Sequence, residues 1–133
     1  MRFLPLTACL ACASAASGAR APEPPPAPAP PRPEDEARAA LQAFSASVRA
    51  GQWAEAYGLL SARWRARVTP ERLAADWRDA GPIGARALSR VDALLAVGAP
   101  LEVRGRVATL AVGEGRAATL VLEERRWRVD ALE

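Results

Sequence analysis

Between Pro22 and Pro33 the chain reads PEPPPAPAPPRP, eight prolines in twelve residues. Proline fixes φ and has no N–H, so neither a helix interior nor a central strand can run through this stretch, which favours extended polyproline II. At about 3.1 Å per residue such a tract is a semi-rigid spacer roughly 35 Å long. It divides the chain into a leader (residues 1–21), a proline-rich tether (22–33) and one folded domain (34–133).

The leader has the pattern of an export signal. Arg2 supplies a minimal basic end, Phe3 to Ala16 carries no charge, and small residues follow at Ala13, Ala15, Ala19 and Ala21. Ala13-Ser14-Ala15 is the cleanest cleavage site, and the apolar run is too short to span a bilayer as a mature helix. A second reading competes. Leu6-Thr7-Ala8-Cys9 resembles the lipobox of bacterial lipoproteins, in which Cys9 would be acylated and the proline tract would become a stalk. Either way the expected location is outside the cytoplasm: periplasmic, anchored to the outer membrane, or extracellular. The only membrane contact expected is a lipid anchor at Cys9. Both cysteines, Cys9 and Cys12, lie in the leader, so its removal leaves no disulfide to hold the domain.

All 18 basic residues are arginine, and Lys, His and Asn are absent. The bias follows the GC-rich codons of some bacterial genomes, so the net charge of +3 is no nucleic-acid footprint. Setting aside Arg2 and Arg20 leaves 16 arginines interspersed with 15 acids. Nucleic-acid binding needs a massed basic face and is not expected. The missing histidine removes the usual general base and the commonest transition-metal ligand. Without a cysteine in the domain, a Cys/His metal site, a thiol nucleophile and a Ser-His-Asp triad are excluded as well. No catalytic constellation, metal or cofactor is expected.

Within the domain, acids at Glu34 to Glu36 precede apolar residues at Ala37, Leu41, Phe44 and Val48, the period of a helix that Gly51 would end. A second helix carries Trp53, Ala56, Tyr57 and Leu60 and continues through Ser61 to Arg67. Thr69-Pro70-Glu71 starts a third, presenting Leu73 and Trp77 and ending at Gly81-Pro82. Beyond residue 84 the pattern predicts strands: a bent one over 85–97, then 101–112, 116–123 and 126–132, with turns at Gly113-Glu114-Gly115 and Glu124-Arg125. The fold class expected is α+β, with N-terminal helices packed on a curved antiparallel sheet of three to four strands.

Val48-Arg49-Ala50-Gly51-Gln52-Trp53, Ala56-Tyr57-Gly58-Leu59-Leu60-Ser61, Thr69-Pro70-Glu71-Arg72-Leu73 and the closing Arg126-Trp127-Arg128-Val129-Asp130 together resemble the nuclear-transport-factor-two-like superfamily. That superfamily includes SnoaL-type cyclases, ketosteroid isomerases and small exported bacterial domains. The resemblance implies a cone-shaped, cystatin-like arrangement with a pocket under the sheet, and a possible homodimer through the sheet's outer face.

Candidate pocket residues are Tyr57, Trp77, Asp92 and Trp127. Asp92, placed in the first strand, is the one acid considered as a pocket carboxylate, against a salt-bridged role. Trp53, Trp77 and Trp127 sit at packing positions, with a ligand cage as the alternative. Trp64, between Arg63 and Arg65, suits guanidinium stacking or a contact surface, and the Arg63 to Arg67 run a solvated helix face. The function expected is an exported, non-catalytic domain binding a small apolar ligand or an envelope protein. The alternatives are an isomerase- or hydrolase-like enzyme using a pocket carboxylate or Tyr57, and a structural subunit of an envelope complex.

Overall fold

The computed structural model describes residues 21–132. Leader cleavage and lipidation at Cys9 lie outside the described residues. The tether, exposed and without regular secondary structure, ends where Pro33 opens helix α1 (Pro33–Arg49) with Glu34, Asp35 and Glu36 in its first turn. Ala37, Leu41, Phe44 and Val48 are buried along one side of α1. The helix closes in a Schellman motif. Gly51, at φ 68°, donates its N–H to Val48 O (3.1 Å), and Gln52 N–H reaches Ser47 O (2.8 Å).

The predicted second helix is two short ones, α2 (Trp53–Gly58) and α3 (Ala62–Arg65). Between them the backbone pairs with the sheet: Ser61 N–H donates to Val129 O (2.9 Å) and Val129 N–H to Leu59 O (2.8 Å), forming a parallel bridge at Leu60. These bonds break the helix, and they also cover the outer edge of the last strand, which would otherwise present unpaired amides.

Helix α4 (Pro70–Ala96) starts at Thr69, whose hydroxyl accepts Arg72 N–H (3.2 Å). The Glu71 carboxyl is held below its ordinary range by a bond from its own backbone and by the Thr69 side chain. At Gly81 the helix kinks, with φ 49° and ψ −129°, and Pro82 restarts it. Residues 85–96 are therefore helix, not strand, and Val97 is its C-cap. Leu88, Val91 and Leu95 are buried at i, i+3 and i+7, a helical face that the run of small and aliphatic residues had disguised. This second half ends like α1: Gly98 at φ 71° donates to Leu95 O (3.2 Å) and Ala99 N–H to Leu94 O (2.9 Å).

The sheet is an antiparallel meander in the order β1-β2-β3-β4: β1 (Glu102–Arg104), β2 (Val107–Gly113), β3 (Arg116–Glu123) and β4 (Arg126–Leu132). The fold class is α+β, four helices against one open four-stranded sheet. Its fourth strand arises because the run 101–112 turns back at Gly105-Arg106, where Gly105 takes φ 59°. Glu124 and Arg125 make the last hairpin turn at φ 47° and 63°.

One sheet face is apolar and buried. Ala108 and Leu110 on β2, Ala118 and Leu120 on β3, and Trp127 and Val129 on β4 pack against α1 and the second half of α4. Fully burying an aliphatic or aromatic side chain is worth about 1.5–3 kcal/mol, so this layer is the domain's main source of stability. No helix among the described residues is long and apolar enough to cross a membrane.

Candidate functional site

The packing between sheet and helices is incomplete on one side. Because α4 kinks at Gly81, its two halves diverge, and a cavity of about 530 Å³ lies between them and the end of the β2–β3 hairpin. Trp77 and Ala80 face it from the first half; Gly84, Ala87, Leu88 and Val91 face it from the second. The sheet contributes Val112, Ala118 and Leu132.

Two local features shape this space. A Cβ on Gly84 would sit 3.1 Å from the Ala80 Cβ and 3.7 Å from the Trp77 ring, so the absent side chain keeps the corner beside the indole open. The β2–β3 register shifts between Ala111 and Gly113, a bulge of the kind that bends a sheet away from flatness.

The walls are hydrocarbon apart from Arg116. A second depression of about 360 Å³ continues from the cavity, sharing Ile83, Ala87, Val112 and Arg116 with it and adding Arg86, Arg90 and Glu114. Ile83 is 68% exposed at this junction, an unusual position for the chain's single isoleucine. The volume falls in the range of roughly 300–1,000 Å³ typical of small-molecule pockets, with mostly apolar walls and a few polar groups at one end.

Of the four candidate pocket residues, only Trp77 lines this cavity. Asp92 stands on α4, not on a strand. Its carboxylate receives Arg49 Nε at 2.7 Å and a bond from the buried Ser45 hydroxyl, and it lines a separate shallow depression beside α1. Tyr57 turns the other way, its hydroxyl donating to Arg65 O at 3.0 Å. Trp127 is buried in the sheet core, 4% exposed. The geometry thus brings no two of these groups together around one reacting atom.

A second polar centre does form, at Asp130. The pairing of β3 with β4 shifts between Thr119 and Leu120, leaving Asp130 as the extra residue of β4. Bulges re-aim side chains, and here the carboxylate meets α3. Its Oδ1 accepts the fully buried Ser61 hydroxyl (2.6 Å), Arg63 pairs with its Oδ2 (2.8 Å), and its carbonyl accepts Trp64 Nε1. Arg63 lies 5.7 Å from the Trp64 ring centroid. Glu123 adds a further tie, receiving Ala62 N–H at 3.0 Å and facing Arg65 at 3.5 Å. This cluster latches α3 to the sheet; Arg63 and Arg65 serve contacts within the domain, where the sequence had suggested a solvated face.

No family model, no curated protein and no solved structure matches the chain. Function is accordingly read from the cavity itself. Among the described residues, no group of His, Cys, Asp or Glu is placed to hold a metal ion.

Three of the helix residues that line the cavity, Ala87, Leu88 and Val91, fall within 85–97, where the sequence pattern predicts a strand, so the pattern does not bring them together with Trp77. The signal that could have found them is the spacing of Leu88, Val91 and Leu95, together with Pro82 at a helix start.

Proposed function

We propose that this is an exported, non-catalytic domain whose cavity between α4 and the sheet holds a small apolar ligand. The observation that carries the reading is the cavity itself: about 530 Å³, lined mainly by apolar side chains, with Arg116 its one charged residue and no acid or hydroxyl among the lining residues. General acid–base chemistry needs a titratable group within hydrogen-bond reach of the reacting atom, and Asp92 and Tyr57 are both engaged elsewhere. Export rests on the apolar, uncharged run of the leader, and the proline tether suits a domain held away from a surface, with Cys9 as the lipid anchor if that residue is acylated. The resemblance to the nuclear-transport-factor-two-like superfamily supports the same reading, since sheets of that group close over pockets.

Ala87 is exposed on α4 and borders both depressions, so a larger side chain there fills the space without overpacking the core. Nile red, a neutral dye whose emission rises in apolar surroundings, should bind the native chain, and Ala87→Phe should weaken that binding at least tenfold with an unchanged melting temperature. Equal binding by the two proteins, or none by either, would remove the ligand role and leave a structural subunit as the better description.

A further inference from the structure

We propose that the ligand of this cavity is a single-chain amphiphile with one anionic head, its tail against Trp77, Leu88 and Val91 and its head among Arg86, Arg90 and Arg116; this rests on the ligand-binding reading above. The two depressions adjoin, sharing Ile83, Ala87, Val112 and Arg116, and have opposite characters. The inner end is lined mainly by apolar side chains, Trp77, Leu88 and Val91 among them, where a charged head group would lose hydration without gaining a partner. The outer end carries three guanidinium groups and a single carboxylate, an excess of two positive charges.

That excess is local. The domain as a whole has nearly balanced charge, and eight of its other arginines meet acids or backbone carbonyls; among the described residues Arg32, Arg67, Arg78, Arg125 and Arg126 do not, but none of these five lines the cavity or its mouth. Arg49 pairs with Asp92, Arg63 with Asp130 and Arg65 with Glu123, while Arg38 donates to Ala99 O and Arg106 to Leu122 O. At the cavity mouth the one acid, Glu114, stands 3.9 Å from Arg90 with its side chain 73% exposed, a loose contact that leaves the guanidinium able to turn to another anion. Arg86 and Arg116 form no ion pair among the described residues.

Guanidinium groups match carboxylate geometry with paired N–H donors and are weakly hydrated, so an exposed cluster of them takes up a carboxylate more readily than ammonium groups would. Ile83, exposed between the two ends, lies where the first methylenes below a head group would pass. A zwitterionic or cationic head finds no acceptor there beyond Glu114. A neutral alcohol would gain the tail contacts but not the charge-assisted bonds.

The test is calorimetric titration of the full-length chain with sodium laurate and dodecyltrimethylammonium below their micelle concentrations and with 1-dodecanol below its solubility limit. Laurate should bind at least tenfold more tightly than dodecanol, and dodecyltrimethylammonium least tightly. In the Arg86→Gln/Arg116→Gln variant, laurate affinity should fall to that of dodecanol while dodecanol affinity stays the same. The laurate preference should also shrink as salt rises, since exposed charges are screened.

Equal binding of laurate and dodecanol, both blocked by Ala87→Phe, would overturn the anionic head while leaving the apolar cavity in place. A laurate preference that survives the double arginine variant would overturn it too. Binding of none of the three would overturn both readings. A native mass showing a dimer that Ala87→Phe dissociates would put a second copy in the slot and overturn the amphiphile.

Discussion

Asp130 shows how one side chain can carry the joint between two elements. Its carboxylate is only 20% exposed and receives the hydroxyl of Ser61, itself fully buried, while Arg63 closes the other side. The Arg63 pair contributes little alone, because half of that side chain is in water. The Ser61 bond matters more: deleting its acceptor strands a buried hydroxyl, which costs about 1–3 kcal/mol. Asp130→Ala should therefore lower unfolding stability by about that amount. Adding Ser61→Ala to it should cost little more, since the two residues share one bond. Urea denaturation of the two singles and the double checks this, and a strictly additive set would contradict it.

At the scale of elements, the decisive feature is the break in α4. Gly81 adopts φ 49° and ψ −129°, a region costly to any residue with a Cβ, although open space surrounds it. Gly81→Ala should thus destabilise the domain by about 1–3 kcal/mol for backbone reasons alone. Gly58→Ala is the matched control: the space around it is also open and its φ is not positive, so it should be neutral or slightly stabilising. Comparable losses in the two variants, measured as denaturation midpoints, would show that the kink is not held by this backbone conformation.

The same element explains what could and could not be read in advance. Helix α1 and its end were legible because strong apolar residues, Leu41, Phe44 and Val48, recur on a clean period and Gly51 follows. The hairpins β2–β3 and β3–β4 were legible from turn residues between alternating runs. The second half of α4 was not. Gly81-Pro82 reads as a stop, and in the structure it is a stop followed at once by a restart, which local sequence signals alone cannot distinguish. Ala85, Ala87 and Ala93 also dilute the helical period, leaving Val91 and the Leu94-Leu95 pair to look like a strand. The split between α2 and α3 was hidden for a different reason. It depends on Ser61 N–H donating to Val129 O and Val129 N–H donating to Leu59 O, a pairing across about 70 positions of sequence that no local pattern encodes.

For the whole molecule, these local facts converge on one asymmetry. The sheet's inner face is closed by α1 at the β4 side, where Phe44, Leu120 and Val129 are sealed from solvent. It is left open beside the kink of α4, where small residues, Ala80 before it, Gly84 and Ala87 after it and Ala118 on β3, provide too little volume to fill the gap. A solvent-open, mainly apolar groove of about 530 Å³ beside an arginine-lined rim has the size and character of a small-molecule site and is the feature most in need of a function. The four pocket candidates drawn from the sequence scattered across the fold because three of them, Tyr57, Asp92 and Trp127, were engaged in holding it together.

The most direct test is a two-dimensional amide and indole NMR titration of the chain with 1-dodecanol and, separately, with laurate. The account predicts that either compound shifts the Trp77 indole N–H and the amides of Gly84, Ala87, Gly115 and Ala118, while the indoles of Trp53 and Trp127 stay in place. Shifts centred on Trp127 or on the Asp92 depression, or no shifts with either compound, would contradict it.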